Sequence, residues 1–399
     1  MIHDAAGTPD ELFDRHLSGP LAGIVVADLS RVLAGPYATM MLADMGALVI
    51  KIESPHGDDT RTWMPPARDG EASYFLSVNR GKHSIALDFR DEAQLRVVHD
   101  IVARADVLVE NFAPDGLQKY GLDYETLAAR HPRLVYASIT GFGTAGGADL
   151  PGYDLLAQAV SGFMDVTGAA DGGPTKAGVA VADVITGLHA TAGILAALNA
   201  RHTTGRGDRV QVDLLSSLLS GMVNQTAAYV AAGVVPHRMG NAHPSLSPYE
   251  PLPTADRDLV IAIGNDAQFR RLCAVVGAPE LADDDRFATM TDRNRHREAL
   301  RAELARRLRT RSADDWFEVL RRARVPAGPI QDVAGGIRLA EDLGLDPVAL
   351  TGRGGRRIPT VRHPITYGST HVDYSQAPPE WDADRARILA WLRATARED

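Results

Sequence analysis

Along the first half of the chain, short apolar runs alternate with longer amphipathic stretches. GIVVADLS (23–30), ALVIKIES (47–54), SIALDF (84–89), DVLVENF (106–112) and LVYASIT (134–140) read as strands. Helical patterns at GPYATMMLADMG (35–46) and DEAQLRVVHDIVARA (91–105) separate them. Strands spaced by helices of about ten to fifteen residues predict βαβ units, a parallel sheet and a doubly wound α/β domain. Ligands of such sheets bind beyond the carboxyl ends of the strands. Ser30 to Gly35, Asn111 to Ala113 and Gly141 to Tyr153 all fall there.

The clearest helical stripe follows at TKAGVAVADVITGLHATAGILAALNARHTTGRGDRVQVDL (175–214), where Val184, Leu188, Thr191, Leu195 and Leu198 share one face. Gly205 ends the helix and RVQVDL reads as a further strand. Asp183 is placed at the helix N-terminus, beside free N–H groups and the positive end of the dipole. Taken alone, such an aspartate is an N-cap.

From about residue 225 the texture changes. A Pro- and Gly-punctuated stretch leads to the strand LVIAIGN and to helices near 266–276, 293–309 and 313–324. This predicts a smaller α+β domain over 225–330, with 21–224 and 331–399 forming the large one and residues 1–20 an N-terminal extension. The arginines of 297–311 (Arg297, Arg301, Arg306, Arg307, Arg309, Arg311) interleave with Glu298 and Glu303 and read as a solvated helix face.

Composition narrows the function. A length of 399 residues suits two domains, and 45% hydrophobic with 23% charged residues suits a soluble globular protein. A net charge of −9 leaves no basic excess for nucleic acid. The single cysteine, Cys273, excludes an intrachain disulfide and a cysteine zinc site, and reads as a buried core thiol. Thirteen scattered histidines show no metal-ligand spacing, so no metal is expected. The first twenty residues carry acids and no apolar core, and no window approaches 18 uninterrupted apolar residues. A cytoplasmic chain without signal peptide or membrane span is the expectation.

GFGTAG (141–146) matches the dinucleotide pattern GxGxxG after a strand. That fingerprint needs its third glycine to open a helix, and GADLPG follows instead, which predicts a glycine loop and not an NAD site.

Taken together, the ordered motifs LSRVLAGPYATMMLADMGALVIKIESPHGDDTR, NRGKHSIALDF, VENFAPDGLQKYGLDYETL, ASITGFG, PGYDLLAQAVSG, VADVITGLHATAGILAALNARHTTGRGDRVQVDLLSS and DDRFATMTDRNRHREAL resemble the class III CoA-transferases, the carnitine/bile-acid-inducible (CaiB/BaiF) type. The resemblance runs from about residue 21 to 330. It implies a Rossmann-like large domain built from both chain ends, a smaller inserted domain, and an interlocked homodimer. It implies an acyl-CoA and a small carboxylic acid as substrates, with no tightly bound cofactor.

The family nucleophile matches Asp183. It would attack the donor thioester, pass through an acyl-aspartyl anhydride and an aspartyl-CoA thioester, and so split one hard exchange into steps of similar energy. The helix terminus would keep Asp183 ionised and lend N–H groups to the oxyanion. Family contacts to CoA carry over to Arg31, Val32 and Ala34 in the first turn, to Leu87, Asp88, Phe89 and Arg90, to Asn111, Phe112 and Ala113, to Lys119 at a phosphate, and to Tyr153 near the thioester. Basic groups gathered on the CoA phosphates would reconcile an acidic protein with an anionic ligand.

Two departures refine the resemblance. Formyl-CoA transferases carry a run of glycines where this chain has RMGNAHPSLSPYE, and a glutamine where it has Leu33. Racemases of the family carry GHD where it has Gly152-Tyr153-Asp154, and tyrosine is a poor acid or base near neutral pH. NQTAAYVAAG, HRMGNAHPSLSPYE and IAIGNDAQF look most like the branch that uses succinyl-CoA and dicarboxylates. The alternatives are an isomerase acting on the α-carbon of an acyl-CoA and a CoA-binding homologue without turnover.

Overall fold

The structure, a computed structural model, describes residues 18–370, 372 and 374–395; the rest of the expected N-terminal extension lies outside them. The chain divides into two compact units. The first comprises the described residues to Phe163, Ala177–Val230 and those from Asp346 onward; the second comprises Met164–Lys176 and Ala231–Leu345. The second unit therefore runs past the expected boundary at 330 and takes in Met164–Lys176, a segment assigned from sequence to the large domain.

In the first unit six strands form one parallel sheet: β1 (Val25–Asp28), β2 (Leu48–Glu53), β3 (Lys82–Ala86), β4 (Val107–Glu110), β5 (Val135–Thr140) and β6 (Arg209–Asp213). Their spatial order is β3-β2-β1-β4-β5-β6. The strand order reverses between β1 and β4, where Val26 pairs with Val107, and this switch point opens a crevice at the carboxyl ends. Strand β3 begins two residues before the apolar run SIALDF, because the buried Lys82 and His83 belong to it.

Successive strand residues point to opposite faces, so the sheet buries two separate cores. Val26, Val49, Val109 and Ile139 meet α1 (Ala34–Asp44) and α5 (Val181–Thr204). Val25, Ile50, Leu108 and Tyr136 meet α2 (Glu92–Val102), α3 (Tyr124–Arg130) and the C-terminal helix Arg385–Thr395 through Ile388 and Trp391. Two short helices, α4 (Asp154–Val160) and α6 (Leu214–Gly221), pack against α5.

Helix α5 corrects the sequence reading of its face. Its buried residues are small: Ala182, Thr186, Gly187, Ala190, Thr191 and Ala197, with Ile194, Leu198 and Arg201, while Leu188 stays 43% exposed. The cause is close packing on α1. A Cβ at Gly187 would lie 2.7 Å from the Ala34 carbonyl oxygen, so the helix turns its small side inward and its leucine stripe partly outward. By length and composition this helix is long and apolar enough to cross a bilayer, although no uninterrupted apolar run marks it in the sequence; here it flanks the sheet.

The second unit holds an antiparallel sheet of β7 (Tyr249–Pro253), β8 (Asp258–Ala262) and β9 (Ala327–Pro329), in the order β9-β8-β7. It packs on α7 (Asp266–Val275), α8 (Arg297–Leu308) and α9 (Ala313–Arg322) around Ile261, Phe269, Leu304 and Trp316. Cys273 lies in this core, and burial pushes its thiol up to about 12, which leaves it inert. The arginine face is only partly solvated: Arg307 is mostly buried between Glu280 and Glu303.

Candidate active site

The crevice begins at the end of β1. Asp28 is fully buried, and its carboxylate accepts from Ser30 N at 3.0 Å, Thr39 Oγ1 at 2.7 Å and Lys82 Nζ at 3.0 Å. Lys51 Nζ donates to Ser30 O and to Asp58, each at 2.9 Å. Burial opposes ionisation of Asp58, but Lys51 and Thr60 hold its carboxyl down at about 2. These buried ion pairs fix the backbone that leads into the turn Arg31–Ala34.

The turn is held from the β4 side as well. Asn111 Oδ1 accepts from Arg31 N at 2.9 Å, and its Nδ2 donates to Arg31 O at 2.8 Å. Val32 sits at φ 69°, a left-handed conformation that costs a β-branched residue about 1–3 kcal/mol and persists only where the surroundings impose it. Asn111 and Asp58 impose it here.

Beyond this turn opens a cavity of about 570 Å³. Arg31 to Ala34, Asn111 to Asp115, parts of the Gly141–Tyr153 loop, Asp154 and Asp183 line it. Gly141 and Gly152 touch backbone to backbone, where a Cβ on Gly141 would come within 2.4 Å of the Gly152 Cα. The GFGTAG segment is thus a cavity wall; no helix opens until Asp154, and the dinucleotide geometry is absent.

Asp183 is the third residue of α5, and Ala180 stands at the N-cap without a side-chain bond. The cap is supplied by another residue: Asp154 Oδ1 accepts from Ala182 N at 2.8 Å and Asp183 N at 3.2 Å. Val181 N and Val184 N bond to Val179 O and Ala180 O. The first-turn N–H groups of α5 are therefore occupied, contrary to the expectation that they serve an oxyanion. The Asp183 carboxylate has no hydrogen-bond partner among the described residues, and burial together with the Asp154 charge raises its pKa to about 7. Desolvation and a like charge thus act against its ionisation, where the sequence reading expected the helix terminus to favour it.

Of the expected ligand contacts, Arg31, Val32, Ala34, Asn111, Phe112, Ala113 and Tyr153 line the same cavity as Asp183. Leu87, Asp88, Phe89, Arg90 and Lys119 do not. Leu87 is a core residue, and Asp88 holds Arg90 in a two-pronged pair at 2.9 Å. Phe89 links this segment to the cavity by stacking on Phe112 at 6.3 Å and by an edge contact to Tyr120 at 5.5 Å. Lys119 Nζ lies 4.9 Å from the Tyr120 ring and makes no salt bridge among the described residues. Basic groups do not gather in the cavity: its walls carry Asp59, Asp115, Asp149, Asp154 and Asp183 against Arg31 alone.

Two groups escaped the sequence reading. Asp154 is one, with the signal hidden in PGYDLLAQ, where Asp154 and Gln158 share a helix face. Tyr74 is the other. Burial and the charges of Asp183, Asp154 and Asp58 push its phenol up to about 12, so it stays a neutral hydroxyl beside the two carboxylates. Trp63 meets its ring edge-on at 5.1 Å.

A parallel sheet with a strand-order switch, a strained first turn and an unpaired carboxyl on a facing helix define an α/β enzyme with its site at the switch point. The chain matches the model of CoA-transferase family III over residues 21–385 and belongs to that family, the CaiB/BaiF family; it is a CoA-transferase. It is 44% identical over 394 residues to a succinate–glutarate CoA-transferase of Agrobacterium fabrum, covering 95% of this chain and 97% of that one. An acetyl-CoA:oxalate CoA-transferase of Acetobacter aceti is 43% identical over 79% of this chain and 82% of its own. Among solved structures, a CAIB/BAIF family protein from Brucella suis superposes with a TM-score of 0.84 at 43% identity, over 94% of this chain and all of the other.

Proposed function

We propose that this protein moves CoA from succinyl-CoA to a dicarboxylic acid such as glutarate, with Asp183 as the nucleophile. The observation that carries the reading is the unpaired Asp183 carboxyl in the switch-point cavity, opposite the Arg31–Ala34 turn. The names of the relatives supply the donor and the acceptor class.

The ionised Asp183 attacks the thioester carbonyl; the C–S bond breaks and CoA leaves as thiolate, giving a mixed anhydride. The thiolate then attacks the aspartyl carbonyl, releases succinate and leaves an aspartyl-CoA thioester. The acceptor carboxylate attacks that thioester, and the freed thiolate takes the acyl group from the second anhydride, which regenerates Asp183. No side chain caps α1, Pro36 has no N–H and Tyr37 N bonds to Leu33 O, so the donors we assign to the developing oxyanion are the N–H groups of Ala34, which lines the cavity, and Gly35. Lys119 and Arg31 serve the CoA phosphates and the ligand's distal charge.

A homodimer accords with the exposed apolar side chains of the first unit, among them Leu155, Val160, Leu188, Val223 and Val230, which a second copy would cover. The chemistry is tested by adding hydroxylamine during turnover and mapping the product by mass spectrometry. A hydroxamate on Asp183 is expected; one on another carboxyl would reassign the nucleophile.

A further inference from the structure

We infer that Asp154 is a positioning residue for Asp183: its carboxylate caps the helix that carries Asp183 and sets a fixed negative charge beside it. This rests on the reading of Asp183 as nucleophile. The geometry is complete on the Asp154 side. Oδ1 accepts from the N–H groups of Ala182 and Asp183, at 2.8 and 3.2 Å. Oδ2 accepts from Gln158 Nε2 at 2.6 Å. Gln158 is buried, and its Oε1 accepts from Ala177 N at 2.8 Å, which ties the segment entering α5 to the same side chain. Asp154 thus satisfies both oxygens with donors.

Asp183 has the opposite surroundings. Its carboxyl finds no donor among the described residues and borders the cavity. The ionisable groups facing it are Asp154 on α4 and the neutral Tyr74 on the short helix Ser73–Val78. On the other elements packed against α5, Tyr37 of α1 lies against Gly187, Asp213 of β6 is occupied in capping α6 through Ser216 N at 2.7 Å, and α6 itself carries no charge. Two carboxyls on neighbouring helix starts are therefore driven apart in character: one is held by donors and has a structural task, the other lacks donors and is made more basic by burial and its neighbour. A more basic carboxylate is the better nucleophile toward a thioester once it is ionised, which is the use we assign to the pair.

The test labels carboxyls with a water-soluble carbodiimide, which consumes the protonated form, across a pH series on the intact protein. Trypsin cleavage after Lys176 and Arg201 isolates Asp183 as the one acidic side chain of Ala177–Arg201, while Asp154 falls in the preceding peptide. In the wild type, the labelling rate of Asp183 should hold up to near neutral pH before it falls. Asp154→Asn, which keeps an oxygen for the cap and removes the charge, should move the Asp183 midpoint down by about one pH unit or more and lower kcat more than it changes the acyl-CoA KM. An unmoved midpoint in a folded Asp154→Asn protein would overturn the inference. The readout needs no turnover, so hydroxamate formation elsewhere than Asp183 would defeat the nucleophile assignment and leave the labelling result to be judged separately.

Discussion

At the residue scale, the environment of Asp183 decides the pH behaviour. Its pKa is raised from 3.8 to about 7, by burial first and Asp154 second. Attack on a thioester needs the carboxylate, so the pH profile of kcat/KM should rise along an acidic limb centred near 7; a limb near 4 would contradict the desolvated carboxyl. The same shift affects stability with a definite sign. The folded protein binds this proton more tightly than the unfolded chain, so the contribution is fully present below pH 4 and is lost as pH rises to about 7. Asp183→Asn should therefore be more stable than wild type by about 1–3 kcal/mol at pH 8 and indistinguishable at pH 4, as measured by urea unfolding. Equal stability at both pH values would mean that the folded state exacts no cost for ionising Asp183. Asn111 makes a second residue-scale case. Removing both of its bonds to Arg31 in Asn111→Ala should cost about 1–3 kcal/mol and raise the acyl-CoA KM, because the strained Val32 turn loses its brace.

At the element scale, the spacing between α5 and α1 sets the distance from Asp183 to the first turn. Gly187 lies one helical turn beyond Asp183, against the Ala34 carbonyl. Gly187→Ala should push the helices apart, cut exchange by about tenfold or more, and leave a folded protein destabilised by about 1–3 kcal/mol. Unchanged exchange would show that this contact does not set the site.

This close contact also explains what the sequence concealed. The strands from Val25 to Thr140 were legible because continuous apolar runs and period-spaced helices leave few alternatives. The inward face of α5 was not, since hydrophobic periodicity picks out leucines and the packing selected Ala, Gly and Thr. Asp183 was legible through the long motif around it and through its place near a helix start. Its electrostatics were not, because Asp154 lies 29 residues away and meets it only in the fold. The contacts Arg90 and Lys119 were matched by motif, which orders residues along the chain without saying which of them share a wall.

At the scale of the whole molecule, an acidic chain must receive an acidic substrate. The cavity walls deepen that problem, with five aspartates against Arg31. Under the proposed role of Lys119 at the CoA phosphates, Lys119→Ala should raise the acyl-CoA KM several-fold with little loss of kcat. An unchanged KM would remove Lys119 from phosphate binding. Under the proposed homodimer, which would cover the exposed apolar side chains of the first unit, sedimentation should report twice the chain mass of 42.8 kDa. Val230→Asp should shift that equilibrium toward the monomer. A monomeric wild type at micromolar concentration would leave those faces unexplained.

The most direct test mixes purified wild type and Asp183→Ala with succinyl-CoA and glutarate and follows CoA thioesters by mass spectrometry. Wild type should form glutaryl-CoA while the variant binds succinyl-CoA and forms none. Glutaryl-CoA from both proteins at comparable rates would contradict Asp183 as the nucleophile.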